Sequence, residues 1–246
     1  MPKYLHTSET PLANKQPTTD NIQSTRVCTY TAPAPSPKSI NDDDDLRTSA
    51  QVVVADAEEG GLFDPYDAVL VACYSVHPLV SLLAEKEGES NLLAVTGIFE
   101  ASILACLALL RPGKKWGIVT TGKFWEEHLT QGVTRFLGNT AEDANARFAG
   151  VESTGLEAGD FHGDSPDMVQ HKLGEATARL LDRGDVECIV MGCAGMAGLE
   201  DIIRSAAVDK LGAAKASELL IVDSVKAGVG VLEQAVHNKR AFRGAK

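Results

Sequence analysis

The sequence predicts an α/β protein with mainly parallel sheet, built from two related halves. Three observations predict it. From Tyr66 onward, strand-like and helix-like segments alternate, which is the order of an α/β fold with parallel strands. Several strand candidates are apolar along their whole length, as expected where helices cover both faces of a sheet. The order of segments in the first half also returns in the second.

Taken in chain order, residues 1–24 are polar and carry no clear period. Arg26–Thr31 (RVCTYT) is a strand candidate. Pro33, Pro35 and Pro37 mark a loop that runs into Asp42–Asp45, an acidic stretch read as a solvated loop or helix start. It has no glycine turn and so lacks the calcium-loop pattern. The remaining strand candidates are Ala68–Cys73, Leu92–Ile98, Trp116–Thr121, Phe148–Glu152, Val186–Gly192 and Leu219–Val222. Helices are expected near 46–59, 78–87, 99–110, 124–137, 166–182, 197–211 and 226–237.

The duplication is clearest around two cysteines. DAVLVACYSVHPLVSLL (67–83) overlays VECIVMGCAGMAGLEDII (186–203), placing Cys73 on Cys193, Leu79 on Leu199 and Leu82 on Ile202. RVCTYT (26–31) falls on RFAGVE (147–152), and LLAVTGI (92–98) on LLIVDSV (219–225). The matches are ordered and nearly constant in spacing, the signature of internal duplication. They also expose a gap. The second half opens with WGIVTTG (116–122), whose counterpart would lie before Met1. On this count the first half lacks most of its opening strand. Lys3–His6 is the one candidate remnant, with Thr7 or Ser8 as an N-cap before a short helix.

Composition narrows the function. The chain has 246 residues, 44% hydrophobic, with a formal net charge of −11. That supports a sizeable core and argues against nucleic-acid or anionic-membrane partners, since no dense Lys/Arg cluster is present. The amino-terminal residues show no apolar signal region. The longest helix-like apolar run, 101–110, is half a membrane span. The expected location is cytoplasmic. Five cysteines without a signal peptide point to reduced thiols. With no CxxC and no HxxxH, a zinc site is not expected.

Cys193 sits in Gly192-Cys193-Ala194-Gly195, at the predicted carboxyl end of a strand and beside the next helix start. Open α/β folds bind ligands at that edge, and helix-start N–H groups stabilise a thiolate or hold a ligand oxygen. The plainer reading is a buried, inert cysteine; the match to Cys73 favours a site. After Cys73, Ser75 offers a hydroxyl, and Pro78 suits a first helical position. His77 could tune a thiol, act as a base or cap the next helix, and capping or a specificity contact is favoured. Thr120 and Thr121 end a strand facing the same edge, or simply make ordinary turn chemistry. GCAGMAG has GxxGxxG spacing, unlike the dinucleotide GxGxxG. Cys28, Cys106 and Cys188 read as core residues.

Two thiols across a cleft suit one reaction. One thiolate takes a proton from a stereogenic carbon, the other thiol returns one to the opposite face, and the two titrations are coupled. Amide donors would stabilise the planar carbanion, and no cofactor is required.

VACYSVHPL, VTGIFEA, WGIVTTGKFWE, FAGVESTGL and VMGCAGMAG resemble the hydantoin racemase branch of the aspartate/glutamate racemase superfamily, over about residues 25 to 237. The resemblance implies two pseudo-symmetric flavodoxin-like domains with the site between them: 1–99, completed by a C-terminal helix over 225–246, and 100–224. It implies Cys73 and Cys193 as the acid/base pair, and Ser75, Val76, Thr120, Thr121, Ala194 and Gly195 as the substrate pocket. It further implies a small-molecule substrate, among 5-substituted hydantoins, allantoin and related amino-acid derivatives, and a homo-oligomer. The family's opening strand ends in Asn-Pro-Asn-Ser/Thr; here the region reads Tyr4-Leu5-His6-Thr7-Ser8-Glu9. Either Lys3–His6 refills part of that strand, or the chain is shortened and impaired in stability and activity.

The expected function is therefore a cofactor-independent racemase. The alternatives are a superfamily decarboxylase or cis–trans isomerase, or a binding protein that keeps the cleft without turnover. Decarboxylation needs one donor thiol; two matched thiols favour racemisation.

Overall fold

A computed structural model describes residues 3–8, 25–86, 93–138, 146–163 and 165–242. Its elements in order are β1 (Lys3–Ser8), β2 (Arg26–Thr31), α1 (Asp43–Gly60), β3 (Ala68–Val71), α2 (Pro78–Lys86), β4 (Ala94–Gly97), α3 (Ile98–Leu109), β5 (Lys115–Thr120), α4 (Phe124–Phe136), β6 (Phe148–Ser153), α5 (Pro166–Leu181), β7 (Val186–Gly192), α6 (Glu200–Leu211), α7 (Ala213–Glu218), β8 (Leu220–Asp223) and α8 (Ser224–Phe242).

Two four-stranded sheets form, in the orders β2-β1-β3-β4 and β6-β5-β7-β8. The orders correspond strand for strand, as the duplication requires. The second sheet is parallel throughout. The first differs at the position where the sequence showed a gap. β1 fills the slot between β2 and β3 but runs antiparallel to both, pairing His6 with Cys28 on one side and with Val69 on the other. The backbone groups that an empty slot would leave unpaired are thereby bonded, at about 1–3 kcal/mol for each buried group. Because β1 is reversed, its amino end lies at the carboxyl end of β3, with Tyr4 opposite Val71. Thr7 and Ser8 are strand residues rather than a helix cap, and the helix expected after them falls in 9–24, outside the described residues.

Strand alternation sorts the core. On β3, Ala68 and Leu70 face one cluster while Val69 and Val71 face another. On β7, Cys188 and Val190 join the cluster of Leu70, whereas Ile189 and Met191 join that of Leu173 and Leu180. The shared cluster lies between the sheets and contains Leu70, Trp116, Ile118 and Val190, with Phe99 and Ile103 from α3 and Leu232 from α8. Each such fully buried side chain stabilises by about 1.5–3 kcal/mol. α8 lies flush on β3: a Cβ at Gly228 would come within 2.6 Å of Leu70.

Element limits follow local chemistry. Asp42 caps α1 by accepting the Asp45 N–H at 2.9 Å, and Asp43, Asp44 and Asp45 fill the first turn, where carboxylates favour the helix dipole. The acidic run is thus a helix start. β3 ends at Val71, leaving Ala72 and Cys73 beyond the strand. The run expected to start the sixth helix at 197 first makes one 3₁₀ turn, Ala194–Met196, and α6 begins at Glu200. α7 was not anticipated; Gly212, with φ of +80°, separates it from α6. Cys106 and Cys188 are buried with their sulfurs 2.9 Å apart, in keeping with core residues. Cys28 is not core: it lies half-buried on β2, the outer strand of its sheet. No helix among the described residues is long and apolar enough to cross a membrane.

Candidate active site

Cys73 lies just beyond β3, and Cys193 directly follows β7. These are equivalent strands, and both cysteines line one cavity of about 340 Å³ together with Thr121, Ala194 and Gly195. That volume falls within the range of small-molecule sites. Tyr74 and Trp125 supply aromatic wall.

The backbone around Cys193 is built for close approach. A Cβ at Gly192 would lie 2.8 Å from the Val119 carbonyl oxygen, so a side chain there would wedge β5 from β7. Thr120 Oγ1 donates to the Gly192 carbonyl at 2.9 Å, tying the two strand ends together. Cys193 itself is extended (φ −160°, ψ 136°) and caps the 3₁₀ turn, its Sγ accepting the Gly195 N–H at 3.3 Å. Across the cavity, Cys73 Sγ meets Ser75 Oγ at 3.3 Å, and the Ser75 N–H donates to the Cys73 carbonyl at 3.0 Å.

Both thiols keep part of their surface on the cavity but sit deep among protein atoms, and burial pushes both upward. The Cys73 thiol is pushed up to about 12, first by burial; the bond to Ser75 opposes this, and charge on Cys193 and Glu100 adds to it. The Cys193 thiol is also raised by burial, opposed by the N–H groups of Gly195 and Met196. The environments are therefore unequal: Cys193 has amide donors for an anion, and Cys73 has one hydroxyl and acidic neighbours.

Not every expected pocket residue reaches the cavity. Thr121, Ala194 and Gly195 line it. Thr120 is buried with its hydroxyl turned into the sheet. Ser75 is buried behind Cys73. Val76 packs toward α4, where a Cβ on Gly132 would lie 2.6 Å from its Cγ2. His77 caps α2, its Nδ1 accepting the Leu79 N–H at 3.2 Å. Its Nε2 is buried without a partner among the described residues, and burial lowers the imidazole to about 4.

Sequence reasoning missed several residues. Glu100, in the first turn of α3, is one: burial raises its carboxyl to about 7 against the backbone N–H groups of Glu100 and Gly97, and one carboxyl oxygen has no partner among the described residues. Its charge is felt by Cys73 and Tyr74. The available signal was a lone acid in the apolar run 98–110, which reads equally as an ordinary dipole contact at a helix start. Lys38 and His162 also line the cavity; Lys38 comes from a loop and His162 from the short 3₁₀ turn Asp160–His162, neither long enough to show periodicity.

Comparison with known proteins agrees with this architecture. The family model described as Asp/Glu/Hydantoin racemase matches residues 9–232. An uncharacterized protein of Schizosaccharomyces pombe is 32% identical over 206 residues, covering 84% of this chain and 77% of its own. Among solved structures, allantoin racemase from Klebsiella pneumoniae superposes with a TM-score of 0.61 at 23% identity, covering 87% of this chain and 80% of its own. Allantoin racemase from Pseudomonas fluorescens gives a TM-score of 0.63, also at 23% identity, covering 84% and 77%. With the family model spanning most of its length, the chain belongs to the Asp/Glu/hydantoin racemase family.

Proposed function

We propose that this protein is a cofactor-independent racemase that interconverts enantiomers of a hydantoin-type or amino-acid-derived substrate through Cys73 and Cys193. The observation that carries this reading is the placement of the two thiols: equivalent strand ends, opposite halves of the chain, one shared cavity.

In one direction the Cys193 thiolate removes the proton from the stereogenic carbon and becomes a thiol. The C–H electron pair moves into the adjacent carbonyl. The Cys73 thiol then protonates the opposite face and is left as a thiolate; the reverse direction exchanges the roles. The amide donors at Cys193 favour it as the resting base, and burial favours Cys73 as the resting acid. Thr121, Ala194 and Gly195 form the substrate wall, with Ser75, Val76 and Thr120 supporting it from behind. The same reading divides the chain into domains 1–99 and 100–224, with α8 returning to complete the first by packing on β3 and β4.

Two solved neighbours carry the name allantoin racemase. Allantoin, a ureido-substituted hydantoin, is accordingly the first substrate to try. Incubating one enantiomer in deuterated water should give loss of optical rotation together with deuterium at the stereocentre. One observation favours binding without turnover instead: the reversed β1 brings its amino end, not a carboxyl-end loop, to the site edge. A ligand that binds but neither racemises nor exchanges would select that reading.

A further inference from the structure

We propose that His128 and Asp43 form a clasp between the two walls of the cavity, and that this contact controls entry to the thiols. The regulatory use of the clasp rests on the racemase reading; the clasp itself does not.

The clasp joins the two halves beside the cavity. Asp43 opens α1 and His128 lies on α4, with His128 Nδ1 standing 3.4 Å from Asp43 Oδ1. Each partner is tied to a different wall. Trp125, one turn before His128, lines the cavity, and its ring meets the imidazole edge-on with centroids 5.4 Å apart. Phe124 also packs on the imidazole, at 5.3 Å. Asp43 belongs to a hydrogen-bonded unit that reaches back to the other wall. The Asp45 N–H donates to Asp42, the Asn41 N–H donates to Asp45 at 3.0 Å, and Ser39 Oγ donates to Asn41 Oδ1 at 3.3 Å. Ser39 and Ile40 line the cavity. Ile40 and Trp125 pack in one core cluster, an apolar seam between the halves that the polar pair flanks at the surface.

Upstream, Pro33, Pro35 and Pro37 stiffen the segment, and Ala32 is buried at its start. Its position at the cavity is therefore set by its ends, one buried and one clasped. Protonation works on the clasped end. Burial holds the His128 imidazole below its ordinary 6.5 and Arg135 adds to this, while Asp43 opposes it. Lys123, Glu126, Glu127 and Arg183 share the surface hollow of His128 and Asp43. His128 Nε2 is buried with no partner among the described residues, so a proton there lacks solvation. The closed clasp thus takes a proton less readily than a solvated imidazole, and by linkage acid favours the open form. The clasp holds at neutral pH and loosens as the pH falls below about 6.5.

The test reads thiol access in the full chain, without substrate. Cys193 is alkylated with iodoacetamide and with a fluorescein-linked iodoacetamide, and labelling is resolved by peptide mass spectrometry. The ratio of bulky to small reagent reports entry, because both need the same thiolate and its fraction cancels. At pH 7.5, His128→Phe, which keeps a ring but loses the link, is expected to raise the ratio about two- to fivefold, the range of a partly exposed pair. Asp43→Ala, at an exposed position, should do the same. In the wild type the ratio should rise between pH 7.5 and 5.5, and in His128→Phe it should stay flat. A ratio that neither substitution moves, or an acid rise that persists in His128→Phe, would overturn the clasp. Racemisation is scored separately on unlabelled protein: clasp-dependent entry without turnover upholds the clasp and counts only against the racemase reading.

Discussion

Cys193 Sγ accepts the Gly195 N–H at 3.3 Å, a bond between a side chain and the turn that the same residue caps. Among the described residues Cys73 has no such amide; its sulfur meets the Ser75 hydroxyl. Since the thiolate is the reactive form, alkylation should distinguish the two. With iodoacetamide at pH 8, Cys193 is expected to label before Cys73, and Cys73 to remain largely unlabelled until the pH approaches 12. Peptide-resolved mass spectrometry separates both from half-buried Cys28. Faster labelling of Cys73 would reverse the acid and base assignments.

His77 joins a helix cap to a pH response. Its folded value, about 4, lies below the ordinary 6.5. The unfolded chain therefore takes the proton first, and stability is lost as the pH falls from about 6.5 to 4, by about 3 kcal/mol in total. His77→Asn keeps a side-chain acceptor for the Leu79 N–H and should flatten that acid limb of melting temperature against pH. His77→Ala should flatten it too, while costing about 1 kcal/mol at pH 7.5 through loss of the cap.

Glu100 acts with the opposite sign. Its folded value, about 7, lies above the ordinary 4.5. The folded state holds the proton longer, so stability falls as the pH rises from about 4.5 to 7, by about 3 kcal/mol. Glu100→Gln removes the titration and should gain most relative to wild type at pH 8 and least at pH 4.5. Melting curves of the variant and wild type across that range check it; a constant difference would place the titration elsewhere.

Gly228 sets how closely α8 approaches the first sheet. Leu70 is fully buried and cannot swing away from a new side chain 2.6 Å from it. Gly228→Val should destabilise by about 1–3 kcal/mol through overpacking. Combining it with Leu70→Ala should cost less than the sum of the single changes, the coupling expected of residues in contact. Denaturant unfolding of the four proteins in the cycle measures this.

Much of the fold was legible because burial imposes pattern. β3, β5 and β7 are covered on both faces, so their apolar runs stood out, and the repeated Cys-bearing segment showed that the two halves share one order of elements along the chain. That the first half's second strand position is built differently from the second half's was legible from the repeat. The direction of β1 was not, because a short polar strand pairs either way and side-chain alternation does not encode orientation. At the site, Cys73, Cys193 and Thr121 could be placed by their position at or after strand ends, and Ala194 and Gly195 by the family resemblance; all five line the cavity. Thr120 and Val76 could not, since which way a residue turns at a strand end is set by neighbours such as Gly192 and Gly132 far along the chain. Lys38 and His162 escaped because only tertiary packing brings their two connecting segments to one cavity, and Glu100 because only packing buries that helix-start acid where its charge reaches Cys73.

The central claim is that two thiols work on opposite faces of one carbon. The most direct test follows each enantiomer separately in deuterated water with Cys73→Ser and Cys193→Ser, after subtraction of uncatalysed exchange. The account predicts that each variant loses inversion by about 100-fold or more and retains exchange with one enantiomer only, the opposite one in the two variants. Full racemisation by either variant would contradict it.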